Sequence, residues 1–148
     1  MSESFVPEDF VVPQHVNGEG FRLEPLGPPH NERDHEAWMT SIDHIHDTPG
    51  FPAGSWPRPM SLEQNLTDLQ RHADDFARRT GFTYSVLDGD EVIGCVYIYP
   101  SEAADHDVAV ASWVRASRAE MDARLATAVS EWLRSDWPFT SVDYAARD

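Results

Sequence analysis

The sequence predicts a single α/β (α+β) domain built on a mixed, mostly antiparallel central sheet flanked by helices. Three observations carry this. Apolar residues recur at helical spacing over 32–47 and 62–76, change to strand patterns within 82–114, and return to helical spacing from 119. Asp88-Gly89-Asp90 joins two of the alternating runs, the local signal of an antiparallel hairpin. Hydrophobic residues make up 41% of the 148, with 5 Trp, 4 Tyr and 7 Phe, enough to bury one proper core.

The elements follow in order. Residues 1–20 carry four acids, no cation, and prolines at 7 and 13 that prevent a continuous helix, so an extended N-terminal arm precedes a domain of 21–148. Residues 21–26 alternate as a short strand, with Pro25 confining it to an edge or ending its pairing at Glu24. Asn31 is placed to cap a helix over 32–47, in which Trp38, Ile42 and Ile45 form one buried stripe, and Pro49-Gly50 end it. Residues 48–60 hold four prolines, two glycines and Trp56, a shaped loop. Ser61 and Gln64 have the spacing of a capping box; behind it Leu62, Leu66, Leu69, Ala73 and Phe76 repeat at helical period until Gly81. The hairpin comes next. Its second strand, 92–99, is apolar on both faces and reads as central, with Gly94 at a bulge or a close backbone approach. Residues 108–114 form another strand, 119–134 a helix with Met121, Leu125, Ala128, Val129 and Trp132 on one side, and 140–144 a last strand.

Composition excludes several chemistries. Acids outnumber cations 26 to 11, and all eleven cations are arginine. Without lysine there is no phosphate-binding loop ending in G-K-[ST], no Schiff base to pyridoxal phosphate and no lysine-dependent kinase. A net charge of −15 repels a phosphate backbone or an anionic bilayer, so neither nucleic acid nor membrane is an expected partner. The acidic start lacks the basic region of a signal peptide, and the one cysteine, Cys95, suits a reducing cytoplasm. His44-Ile-His46 would co-orient two metal ligands on a strand but diverges on a helix, so no metal is expected.

The order strand, helix, helix, hairpin, strand, helix, strand resembles the GNAT (general N-acetyltransferase) superfamily over residues 21–145. E-V-I-G-C-V-Y-I-Y is similar to that family's third strand, and V-A-V-A-S-W-V to its fourth. The resemblance implies acetyl-CoA as co-substrate and a small-molecule amine or peptide as acceptor. It also implies a pyrophosphate loop of the form [RQ]-x-x-G-x-[GA] after the fourth strand, where bare amides at a helix start hold the anion. In the matching stretch Arg118 stands for the first residue, Met121 replaces the first glycine, and Ala123 or Arg124 falls near the small second position. Glu120 and Asp122 lie beside the expected phosphates and are equally good first-turn residues for any helix.

The resemblance therefore gives Trp113, Val114, Arg115, Arg118, Ala119, Ala123 and Arg124 as cofactor-binding residues. An amide near Trp113 or Val114 would polarise the thioester, and the arginines would answer the phosphates; surface pairing such as Glu120 with Arg124 is the structural alternative. His106, Asp107 and Tyr99 are the catalytic candidates, against a solvated E-A-A-D-H-D turn. Tyr97 shares a strand face with Tyr99 and, with Trp56 and Arg58 of the proline-rich loop, is a candidate for holding the acceptor; core packing is the alternative for these aromatics. The chain stops before the family's further helix and strands, so the family's thiolate-protonating tyrosine is not carried over to Tyr144. An open sheet edge covered by a second subunit makes a homodimer the expected assembly. Two readings result: an N-acyltransferase, or a non-catalytic binding or interaction module on the same fold.

Overall fold

In the computed structural model, which describes residues 5–147, six strands form one sheet in the order β1 to β6. They are β1 (Val16–Gly18), β2 (Phe21–Pro25), β3 (Phe82–Asp88), β4 (Glu91–Pro100), β5 (Val108–Val114) and β6 (Val142–Tyr144). All pairings are antiparallel except β5 with β6. The hairpin turns at Gly89, which takes a left-handed φ of 62°. Among the described residues no helix is long and apolar enough to cross a membrane.

The helices are α1 (Asn31–Met39), α2 (Ile42–His46), α3 (Leu62–Arg78) and α4 (Asp122–Asp136). Ser61 and Gln64 close the expected capping box on α3. Its buried face is turned from the expected stripe: Asn65 and Leu69 are inside while Leu62 and Leu66 are about 40% exposed. The helix expected over 32–47 is two. Thr40 Oγ1 donates back to Glu36 C=O (2.8 Å), the hydroxyl back-bond that competes with helix continuation, and Ser41 leaves helical dihedrals. Ser41 Oγ then accepts the Ala116 N–H (2.9 Å), tying the break to the turn after β5. Asn31 does not cap α1. It is the first helical residue, and its side chain donates to Leu62 C=O and accepts from Asn65. The helix expected from 119 starts at Asp122, because Ala116–Met121 form a 3-10 segment in which Arg118 is non-helical.

One face of the sheet packs on α4 and on the N-terminal segment, the other on α1 to α3. The segment 5–20 turns between Pro7 and Phe10, supplies β1, and is fastened to the rest of the chain. Val6 and Val12 are buried, Tyr84 Oη donates to Pro13 C=O (2.6 Å), and Arg79 donates to the Pro7 and Phe10 carbonyls (2.7 and 2.9 Å).

Two irregularities shape the sheet. Ile93 is an extra residue on β4, since Val86 pairs with Gly94 but Leu87 with Val92. Gly94 beside it admits no Cβ, which would overlap the Trp113 carbonyl oxygen of β5. The second is where pairing stops: β6 follows β5 only from Val108 to Val110, leaving Ala111 to Val114 without a strand on that side.

Candidate functional site

A cavity of about 370 Å³ opens on the α1–α3 face. Its walls come from four places in the chain: Asp34 of α1, Phe51 and Trp56 of the proline-rich loop, Asn65, Asp68, Leu69, Arg71 and His72 of α3, and Tyr97 with Ala111 of the central strands. Trp56 is placed by packing on Trp38, Phe51, Tyr97 and Trp113 at centroid distances of 5.3 to 6.4 Å. Tyr97 is fixed by the Trp113 indole N–H, which donates to its hydroxyl (3.0 Å). Of the residues expected to hold an acceptor, Trp56 and Tyr97 meet here. Arg58 is exposed and lines a separate groove with Met60 and Gln64.

Tyr99 stands behind the cavity wall. Its hydroxyl donates to Asp75 Oδ2 (2.9 Å) and lies 2.9 Å from His72 Nδ1. A hydroxyl has one proton, so toward His72 the tyrosine oxygen accepts and Nδ1 carries the hydrogen. Thr83 Oγ1, 3.1 Å away, is a second acceptor for it. This tautomer leaves Nε2 as a lone pair with no partner among the described residues, on a ring that lines the cavity. Burial, and then the neighbouring Arg71 charge, hold His72 below its usual pKa, so the imidazole is neutral at neutral pH. Burial also pushes the Tyr99 hydroxyl up to about 12, and it stays a proton donor.

The sequence reading missed His72 and Asp34. A signal existed: His72 follows Leu69 by three and precedes Phe76 by four, and Asp34 precedes Trp38 by four. A polar residue inside an apolar helical face is a marker that residue type alone does not supply.

His106 and Asp107 lie away from the cavity. His106 contacts Asp105 at the turn. Asp107 accepts from Thr140 N–H and Oγ1 and from Ser141 N–H. Burial works against its charged form, but these donors prevail and hold its carboxyl below the usual range. That is a strand-joining role, and it removes 140 and 141 from the expected last strand.

The residues expected to bind the cofactor sit around the turn from β5 into α4. Trp113 and Val114 are buried, and Ala119, Ala123 and Arg124 are exposed. The stretch 115–124 is locally cationic in sequence, yet the fold brings carboxylates to it. Arg115 pairs with Glu36 (2.6 Å) and Glu91 (3.4 Å), and Arg118 with Asp88 (2.6 Å) and Glu91 (3.2 Å). Arg147 occupies the strandless side of β5: Nη2 donates to Ser112 C=O (2.8 Å) and Nε to Asp122 (2.8 Å), while Tyr144 Oη bonds Ser112 Oγ. One feature of this region suits an anionic carrier. Among the described residues Arg115 Nε is a buried donor without a partner, while Ser112 C=O is taken by Arg147.

No protein-family model matches the sequence, and no curated protein does. Solved acetyltransferase structures share its fold. A ribosomal-protein-S5-alanine acetyltransferase from Vibrio fischeri superposes with a TM-score of 0.61 at 14% identity, over 80% of this chain and 66% of that one. A ribosomal L7/L12 α-N-protein acetyltransferase in complex with coenzyme A gives 0.61 at 14%, over 83% and 70%. A microcin C7 self-immunity acetyltransferase in complex with acetyl-CoA and AMP gives 0.63 at 10%, over 83% and 66%. The chain thus spans about two thirds of the length of these structures.

Proposed function

We propose, from the premise that this chain carries the fold of the GNAT acetyltransferases, that it is an acetyl-CoA-dependent N-acetyltransferase. Its acceptor amine would occupy the aromatic cavity and pass its proton to His72. The observation that carries this reading is the imidazole on the cavity wall, its Nδ1–H tied through Tyr99 to Asp75 and its Nε2 free. Acetyl-CoA supplies the thioester. The neutral amine nitrogen attacks the carbonyl carbon, the C–S bond breaks, and the sulfur leaves with a proton as the amide forms. His72 Nε2 takes the ammonium proton, and Tyr99 with Asp75 holds the imidazole in the tautomer that can accept it. Val114 is the group assigned to polarise the carbonyl. Arg115 N–H donates to Ile93 C=O on β4 (2.8 Å), so the alternation of strand amides turns the Val114 N–H to the edge where pairing has ended. Arg115 and Arg118 are the cations at hand for the carrier's phosphates.

Thiol release from acetyl-CoA across a panel of small amines tests the reading. Turnover is expected with some members, and His72→Gln should lower kcat about 10²- to 10⁴-fold. Absence of thiol release with every amine, or an unaffected His72→Gln variant, would sink it. One observation favours the second reading, a binding module without turnover: Arg147 and the paired arginines fill the donor side. If coenzyme A and acetyl-CoA fail to bind both the parent chain and Arg147→Ala in calorimetry, that reading stands.

A further inference from the structure

Inside the cavity one charge has no counter-charge. Asp34 is 4% exposed, and its Oδ2 accepts from Asn65 Nδ2 (3.1 Å). Asn65 is itself committed to Asn31 and to the Trp38 indole, so it is a fixed neutral donor. His30 and His35 face the carboxyl from its own side of the fold, Cys95 and Tyr97 from β4. Of the other groups on the cavity wall, Arg71 leans on Asp68 (3.5 Å) and His72 is neutral. Among the described residues no cation pairs with Asp34. A buried carboxylate in that condition is costly, and burial raises its pKa to about 6.

Three aromatic rings border the same space. Phe51, Trp56 and Tyr97 have centroids 6.0, 6.0 and 6.4 Å apart and planes inclined by 59°, 59° and 75°. A group seated a few ångströms above the three centroids lies within roughly 6 Å of each, the range over which ring faces attract a cation. A neutral apolar ligand would satisfy the rings and leave Asp34 uncompensated. An anion would face Asp34 and Asp68 together. A compact organic cation satisfies both features, and about 370 Å³ is at the small end of ligand sites.

We propose that the cavity is a seat for a small alkylammonium ion, boxed by Phe51, Trp56 and Tyr97 and countered by Asp34. Resting on the transfer reading above, this makes the acceptors compact amines that enter as ammonium ions, rather than acidic or neutral peptides.

The test uses two probes of nearly equal shape, choline and its uncharged isostere 3,3-dimethylbutan-1-ol, titrated calorimetrically into the full chain at pH 7.5 with no thioester present. Choline is expected to bind about tenfold more tightly than the alcohol. Asp34→Asn should bring the two within about twofold of each other, and Trp56→Leu should weaken choline about fivefold or more. Equal affinity for the two probes, no binding of either, or a cation preference that survives Asp34→Asn would each overturn the proposal. Its fate is separable from that of the transfer reading. Choline binding without thiol release from any amine keeps the seat and removes the transferase; thiol release without cation preference does the reverse.

Discussion

At the scale of single residues the chain concentrates its unusual chemistry on one face of the sheet. Asp34 illustrates the linkage. Its folded pKa of about 6 exceeds the ordinary 3.8, so the folded state favours its protonated form. The stability this group contributes is complete below pH 3.8 and is lost as pH rises through about 6, a difference on the order of 3 kcal/mol. Asp34→Asn is accordingly expected to unfold at higher denaturant than the parent at pH 7.5 and to lose that advantage near pH 4. An equal or lower midpoint at pH 7.5 would contradict the account. For His72 the shift runs the other way. Burial holds it below its usual 6.5, so the acid limb of kcat/KM should lie below pH 6.5, and Tyr99→Phe should lower kcat on the order of tenfold while moving that limb. A Tyr99→Phe variant with an unmoved limb would leave Tyr99 a packing residue only.

At the scale of elements, most of the architecture was legible from periodicity. The hairpin, the strand over 108–114 and the capped α3 stand where their patterns put them, because each is specified locally by a turn, an alternation or a box. What failed were boundaries set by partners distant in sequence. The break at Thr40 and Ser41, begun by a local back-bond, is held by a hydrogen bond from Ala116, and the late start of β6 is set by Asp107. The expected rotation of α3 favoured leucines over Asn65 and His72, because apolar counting cannot see a polar network that satisfies itself inside. The reading of Gly94 held on both counts: it adjoins the bulge and lies close to a neighbouring backbone. Gly94→Ala should therefore cost about 1–3 kcal/mol, since a backbone carbonyl on β5 has to yield, and the loss should show as a lower thermal midpoint. A near-neutral Gly94→Ala would mean that β4 and β5 separate easily there.

At the scale of the whole molecule, the cavity lies on the α1–α3 side of the sheet, and β5 is left unpaired from Ala111 to Val114 among the described residues. The resemblance drawn from element order predicted the fold that the solved acetyltransferases share. Sequence did not disclose that the loop arginines would be met by Glu36, Asp88 and Glu91, carboxylates 24 to 79 residues away in the chain. If Arg147 competes for the donor edge, the protein exists as closed and open forms, and apparent affinity for coenzyme A is reduced by the open fraction. Arg147→Ala should then bind coenzyme A about tenfold more tightly while its thermal midpoint falls, because Asp122 loses its partner. Unchanged or weaker binding would remove Arg147 from that role.

The side chain resting against Ser112 is a guanidinium, and its identity matters beyond its charge. A lysine placed there would present a primary amine beside any activated acyl group that displaced it, and a fraction of encounters would end in modification of the protein itself. Arginine keeps its proton at every working pH and offers no free nitrogen lone pair to an acyl donor. An acyl donor brought to the edge of β5 would therefore meet a cation that it does not acylate.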